Sequence, residues 1–173
     1  MYVLIFAAVL LTRALAWAGC SGDNADSQSS TMLSASEAFV ASARQVGVTP
    51  GTTTMKDDLS IESRDNTVSY KVEATDPRVA GTFNVSFNSD ETHEGSGTMW
   101  GTWTITNDKG TWVCDGWRGA YDAQGHTFTA GSATGTGDYE GLVSVWQWYW
   151  PLGSGVGTAL PVFAVSGWIQ KAP

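Results

Sequence analysis

Residues 97–106 (GTMWGTWTIT), 107–110 (NDKG) and 111–121 (TWVCDGWRGAY) decide the fold. Apolar and polar residues alternate on both sides of a short polar segment that ends in glycine. Alternation with a period of two is typical of a β-strand with one buried face. A four-residue loop ending in glycine favours a hairpin built on a type I turn, with the glycine in the left-handed conformation. The stretch therefore predicts two antiparallel strands, 97–106 and 110–121.

The same pattern continues along most of the chain. Residues 122–125 (DAQG) form a second loop of this kind, and another strand is expected near 52–61. Further segments share the two-residue period: 67–72, 82–87, 126–136, 139–150 and 161–170. About eight antiparallel strands at short spacing, with glycines inside them where strands bend to close, are typical of a barrel. We therefore predict an all-β fold, an eight-stranded antiparallel up-and-down β-barrel.

The beginning of the chain differs from the rest. Residues 2–11 are an unbroken apolar run, which is too short to span a bilayer but typical of the core of a secretory signal peptide. Two cleavage sites compete: one follows Ala18, and the other precedes Cys20, which would then become a lipidated N-terminus. We expect an exported protein, either secreted or held at the cell envelope through lipid on Cys20. A disulfide with Cys114 is compatible only with cleavage after Ala18.

The predicted domain organisation is a signal peptide over 1–19, a flexible polar tether over 20–33 and the barrel domain over 34–173. A short N-terminal helix is expected to open the barrel domain. Ser34 and Glu37 have the spacing of a capping box. Apolar residues that share one helical face follow: Phe39, Ala43 and Val46.

Composition excludes several classes of partner. The formal net charge is −8, and the nine Lys and Arg residues are scattered, so the chain lacks the basic face that a nucleic acid requires. Attraction to an anionic membrane surface is excluded for the same reason, which leaves the lipid anchor as the only expected membrane contact. His93 and His126 have no cysteine or spaced carboxylate pair beside them, so we predict no metal and no cofactor.

Several motifs together resemble a known family: residues 76–82 (DPRVAGT), 97–103 (GTMWGTW), 110–112 (GTW), 116–119 (GWRG), 135–142 (GTGDYEGL) and 165–169 (VSGWI). Over about residues 60–170 the chain resembles the allene oxide cyclase-like barrel superfamily, which includes the dirigent proteins. The resemblance implies an eight-stranded antiparallel barrel with an interior cavity. Since plant members are often trimeric, it also implies a homo-oligomer. It implies no particular activity.

Asp115 and Glu140 are the candidate catalytic residues. Asp115 interrupts an apolar strand pattern, and Glu140 lies in the glycine-rich motif at residues 135–142. A carboxylate that faced a Trp-lined interior would be desolvated, and its raised pKa would suit a general acid. Arg118 is either the ion partner of Asp115 or a clamp for a ligand anion. In the structural alternative, Asp115 and Arg118 form a salt bridge at the rim and Glu140 caps a turn.

Tryptophan is the strongest chemical feature of the sequence. Trp146, Trp148 and Trp150 alternate and therefore share one face of a strand, while Tyr149 lies on the other. The other candidate ligand-binding residues belong to neighbouring strands: Trp100, Trp103, Trp112, Trp117 and Arg118. A row facing inward would line a flat apolar cavity, and a row facing outward would form a stacking platform for sugars or a subunit interface. A third reading is that these rings simply fill the core of a small barrel.

These observations predict an exported barrel protein that binds a small apolar or aromatic ligand in its cavity. Two alternatives stay open. One is a cofactor-free cyclase or isomerase of the allene oxide cyclase kind, in which Asp115 or Glu140 donates a proton to a ligand held in the barrel. The other is a carbohydrate-binding or interaction module that uses an exposed Trp face.

Overall fold

The computed structural model describes residues 36–150 and 162–173. Its strands are β1 (Glu37–Thr49), β2 (Thr52–Met55), β3 (Ile61–Ala74), β4 (Gly81–Glu91), β5 (Gly97–Thr106), β6 (Gly110–Tyr121), β7 (Thr127–Gly137), β8 (Leu142–Trp150) and β9 (Val162–Lys171). A single turn of 3₁₀ helix, η1 (Pro77–Val79), connects β3 to β4. The described residues contain no α-helix.

Eight of the strands close into a barrel. The hydrogen-bonded order is β1-β9-β8-β7-β6-β5-β4-β3, and β3 pairs back onto β1. Every neighbouring pair is antiparallel, and most connections are hairpins. The remaining strand, β2, continues beyond β1 along the first residues of β3 and lies outside the closed ring. The predicted all-β, eight-stranded antiparallel barrel is therefore confirmed, with one strand added to it.

The predicted N-terminal helix is wrong for the described residues, because Glu37–Thr49 forms strand β1. Phe39 and Ala43 are buried. Their spacing of four residues places them on one face of a helix but equally on one face of a strand. Three valines at even-numbered positions are exposed, which identifies the two-residue period of a strand: Val40, Val46 and Val48. Pairing with both β3 and β9 holds β1 in the extended conformation. Ser34, the other half of the predicted capping box, lies outside the described residues.

Elsewhere, the observed strand bounds and turns agree closely with those predicted from the sequence pattern. β5 and β6 have the bounds that the alternation predicts. In the 122–125 turn Gly125 has φ +85°, which confirms the left-handed glycine. Gly110 differs, because it does not have a positive φ; instead, a Cβ on it would lie 2.2 Å from the carbonyl oxygen of Thr136. Close approach of β7, and not turn conformation, requires glycine there. The strand predicted at 52–61 is only the short β2, and β1 supplies the eighth barrel strand.

The barrel interior is filled by aromatic side chains that lie against glycines on neighbouring strands. A Cβ on Gly167 would lie 2.5 Å from the ring of Phe39, and one on Gly97 would lie 2.5 Å from the ring of Tyr121. A Cβ on Gly131 would lie 2.9 Å from the Cβ of Trp117. An eight-stranded barrel is just wide enough for side chains to fill it. Glycine at these positions therefore provides the space that the large rings occupy.

One end of the barrel, which we call the η1 end, is closed by η1 itself. Asp76 caps this turn, because its carboxylate accepts the backbone N–H of Arg78 at 2.9 Å, and it also forms an ion pair with the guanidinium. Val79 is fully buried beneath the turn. The Trp112 ring stacks on Tyr139 with centroids 5.1 Å apart, and its indole N–H donates to the carbonyl oxygen of Arg78 at 2.8 Å.

We expect Gly167→Ala to lower the free energy of unfolding by about 2–3 kcal/mol, since overpacking a filled core typically costs this much. The added methyl would meet the ring of Phe39 and the backbone oxygen of Val145. Gly116→Ala is the matched control, because a Cβ at this strand position has nothing within 4 Å. Its effect should stay within about 0.5 kcal/mol. Urea unfolding of both variants at an unchanged m-value measures the difference. Equal losses would contradict the proposed role of the interior glycine.

Stability should also depend on pH through Asp76. Hydrogen bonds from Arg78 hold the pKa of the Asp76 carboxyl below its ordinary value of 3.8. Because the folded-state pKa is depressed, the contribution of Asp76 is complete above the unfolded-state pKa and is lost as the pH falls through the folded-state value. Asp76→Asn keeps an oxygen that can accept the Arg78 N–H but loses the negative charge that pairs with the guanidinium, so it should destabilise the protein by about 1 kcal/mol at pH 7.

Urea unfolding at pH 7 and at pH 3 tests this dependence. The difference between the wild type and Asp76→Asn should shrink at the lower pH. The exposed Asp108, whose side chain has no hydrogen bond or ion pair among the described residues, provides the control variant Asp108→Asn, which should have little effect at either pH. A difference for Asp76→Asn that stays constant with pH would argue against the ion pair with Arg78.

Candidate ligand site in the barrel interior

The tryptophan row faces the interior of the barrel. Five of the predicted ligand-binding residues are between 0% and 4% exposed and contribute to one core: Trp103, Trp112, Trp117, Trp146 and Trp148. The side chain of Trp150 lies outside the described residues. Since Trp146 and Trp148 are buried, this part of the row forms neither an exposed sugar platform nor an external subunit surface.

The other predicted ligand-binding residues lie on the outer surface. Trp100 is half-buried under the guanidinium of Arg64, which lies 5.2 Å from the ring centroid. Tyr149 is 52% exposed, and Arg118 is exposed. The structure therefore does not bring Trp100, Arg118 and Tyr149 together with the interior rings.

The interior rings contact one another in tilted and edge-on arrangements. The centroid of Trp103 lies 5.2 Å from that of Trp146 and 5.7 Å from that of Trp148. Trp117 lies 5.7 Å from Trp148 at an interplanar angle of 72°. Phe83 adds contacts with Trp103 and Trp148 at 5.6 and 5.2 Å. Such geometries are the preferred ones for aromatic pairs, so the rings hold each other in fixed orientations.

The indole N–H groups of these rings fall into two sets. Trp112 donates to the Arg78 carbonyl oxygen, and Trp146 donates to the Ser144 hydroxyl at 2.7 Å. Three others are buried without a hydrogen-bond partner among the described residues: Trp103, Trp117 and Trp148. The buried hydroxyl of Thr129 likewise has no partner in this part of the chain. A buried polar group left unpaired costs about 1–3 kcal/mol, and most native interiors hold few of them.

The four residues that carry these groups are neighbours in the barrel, and we call them the donor cluster: Trp103, Trp117, Trp148 and Thr129. Thr129 on β7 is the register partner of Trp148 on β8. The ring of Trp148 contacts those of Trp103 and Trp117. A Cβ on Gly131 would lie 3.6 Å from Nε1 of Trp103 and 2.9 Å from Cβ of Trp117, so both tryptophans pack against this glycine. The cluster thus belongs to one region of the interior, beside strands β6, β7 and β8.

Cys114 borders the same region. Its thiol is buried and donates to the carbonyl oxygen of Gly116 at 3.4 Å. Burial, together with the nearby charge of Asp115, raises the pKa of this thiol. A thiol held in its neutral form is a poor nucleophile, which agrees with the absence of a neighbouring base in the sequence. Cys20 lies outside the described residues, so the predicted lipidation and the alternative disulfide stay predictions.

The candidate catalytic carboxylates do not face the interior. Asp115 and Glu140 are both exposed. Asp115 forms no ion pair with Arg118 within the described residues, and Glu140 lies in the β7–β8 turn, where its N–H donates to the carbonyl oxygen of Gly137 at 3.1 Å. The desolvation that would make either one a general acid is therefore missing. The expectation of a carboxylate inside the barrel at these two positions is wrong.

A different carboxylate lies at the interior rim, at the barrel end opposite η1. Glu91 is the register partner of Gly97, which in turn pairs with Tyr121. The Tyr121 hydroxyl donates to the Glu91 carboxylate at 3.1 Å. Burial and the charge of Glu91 raise the pKa of Tyr121. Alternation from the buried Phe83 and Val85 could have predicted that Glu91 faces inward.

Fold and site together define an antiparallel β-barrel whose interior is lined by aromatic rings and carries unpaired hydrogen-bond donors. No family model, curated protein or solved structure matches the chain. The resemblance to the allene oxide cyclase-like superfamily therefore stays a prediction. In the described part of the chain, no group of three or more His, Cys, Asp or Glu residues could hold a metal ion. No helix there is long and apolar enough to cross a membrane.

Proposed function

We propose that the protein binds a small, flat apolar or aromatic ligand in the barrel interior, against the donor cluster. The observation that carries the proposal is the set of buried polar groups without partners. Most buried N–H groups in native cores are paired, as those of Trp112 and Trp146 are. A ligand that accepted hydrogen bonds from the donor cluster would remove the cost of leaving these groups unpaired.

The fixed orientation of the aromatic rings around the donor cluster supports a flat ligand. The aromatic rings that border the donor cluster hold each other in place through contacts of 5.2–5.7 Å between centroids. Sites of this kind, mainly apolar with a few placed polar groups, are typical of small-molecule binding. Rings fixed before binding lower the entropy cost of association.

Binding is favoured over catalysis by the positions of the carboxylates. Asp115 and Glu140 are exposed, so the cyclase or isomerase hypothesis loses the proton donors assigned to it. A module that used an exposed Trp face is disfavoured by the burial of Trp146 and Trp148. Export of the protein stays a proposal from the sequence, since residues 1–35 lie outside the described residues.

A titration of the full chain, followed by tryptophan fluorescence and by thermal unfolding, tests the proposal. The probes are a flat ring compound (1-tetralone), a fatty acid and an oligosaccharide. We expect a saturable change with 1-tetralone and a rise in Tm that grows with ligand concentration, because a ligand that binds only the folded state stabilises it. The variant Trp148→Phe should change the response. Trp100→Phe, on the outer face, is the matched control and should leave it unchanged.

Two results would overturn the proposal. One is the absence of a saturable response to the ring compound, which would mean that the rings form a packed core whose N–H groups are paired by water. The other is a response to the oligosaccharide alone, which would favour an outer binding surface.

A further inference from the structure

Resting on the proposed function, we infer that the ligand is uncharged and carries a hydrogen-bond acceptor oxygen on a ring, as a cyclic ketone or quinone does. The inference goes beyond binding as such, because it assigns the chemical class of the ligand. It follows from the kind of polar group in the donor cluster and from the distribution of charge around the interior.

The donor cluster offers hydrogen-bond donors almost exclusively. An indole N–H donates and cannot accept, and this holds for three of the four groups; only the Thr129 hydroxyl can do both. A hydrocarbon placed against the donor cluster would leave every donor unpaired. A carbonyl oxygen has two lone pairs and can accept from two donors at once. The site therefore selects an oxygen acceptor over a hydrocarbon of the same shape.

Charge distribution argues against an ionic ligand. The buried polar residues in the described part of the chain are Thr127, Thr129 and Ser144, none of which is charged. A buried ligand carboxylate or ammonium would lack a counter-ion there, and an unpaired buried ion is costly. The inward N–H edges also disfavour a cation, because the edge of an aromatic ring carries partial positive charge.

Glu91 adds a barrier specific to anions. Its carboxylate lies at the rim on the interior face, and the Tyr121 hydroxyl holds it there at 3.1 Å. The whole chain also carries a formal net charge of −8, which repels anions at longer range. An anionic ligand would pass the Glu91 carboxylate before it reached the indole donors, while an uncharged ketone would not be repelled.

Four ring compounds with one shared skeleton test the inference on the full chain: tetralin, 1-tetralone, tetralin-1-carboxylate and 1-aminotetralin. We expect 1-tetralone to bind about tenfold more tightly than tetralin, since two net hydrogen bonds contribute about this much. The carboxylate should bind more weakly than the ketone, and Glu91→Gln should raise carboxylate affinity several-fold while leaving the ketone unchanged. The amine should also bind more weakly than the ketone.

Variants that each remove one donor make the test sharper, and one of them, Thr129→Val, also keeps the side-chain shape. Trp148→Phe and Thr129→Val should each lower the affinity for 1-tetralone about three- to tenfold, the range for one hydrogen bond. The affinity of Thr129→Val for tetralin should not change, which also shows that the variant site is intact. Thr129→Val should not lower Tm in the absence of ligand, because it keeps the side-chain shape and removes a hydroxyl that is unpaired within the described residues, whereas Trp148→Phe should lower Tm because the smaller ring leaves a cavity. Trp100→Phe should change neither affinity.

Equal affinity for tetralin and 1-tetralone, or tightest binding of the carboxylate or the amine, would overturn the inference and leave the proposed function standing. If none of the four compounds bound, the proposed function itself would fail, and the inference with it. If the ketone were preferred but Trp148→Phe and Thr129→Val lost no affinity for it, the assignment to the donor cluster would be wrong.

Discussion

Closure of the barrel by β1 is the constraint on which the rest of the structure depends. β1 pairs with β9 on one side and with β3 on the other, and it thereby removes both open edges of the sheet. Closure brings Phe39 into the interior, where its ring lies 4.8 Å from that of Trp146. It also places Glu37 within reach of Arg78, next to η1. A single strand thus completes the hydrogen bonding of the barrel. It also contributes one ring to the aromatic interior and one carboxylate to the ion pairs at the η1 end.

The limited width of an eight-stranded barrel then fixes where large and small residues stand. Indole rings fit inside only if neighbouring strands carry no side chain at the same level. Gly131 and Gly167 meet this requirement, because each lies directly against an aromatic residue on an adjacent strand. The interior rings are consequently held by backbone on one side and by other rings on the other. This packing leaves few positions at which an indole N–H could find a protein acceptor.

Local patterns predicted the hairpins well, and tertiary packing explains what they missed. β5 and β6 were predictable to the residue, because alternation and turn glycines mark strands and loops directly. β1 was mistaken for a helix because Phe39 and Ala43 fit either period, and only its long-range partners decide between them. The inward position of Trp146 and Trp148 could not be chosen from alternation alone. Asp115 lies on the outer face because alternation from the inward-facing Trp112 and Cys114 puts it there, and the irregularity of β6 only moves the next buried side chain to Trp117. The unpaired state of the donor cluster depends on distances between strands, which no sequence pattern reports.

The η1 end and the donor cluster differ in how completely their polar groups are paired with other groups of the protein. At the η1 end, Asp76, Arg78 and Trp112 satisfy one another through the capped turn. Beside β6, β7 and β8, rings of the same chemistry keep donors that have no partner among the described residues, which costs free energy. The glycine-supported aromatic contacts supply the stability that tolerates this cost, since they fix the rings whether or not the donors are paired. Fixed donors among uncharged rings are suited to recognising a neutral oxygen acceptor, as the proposed function requires.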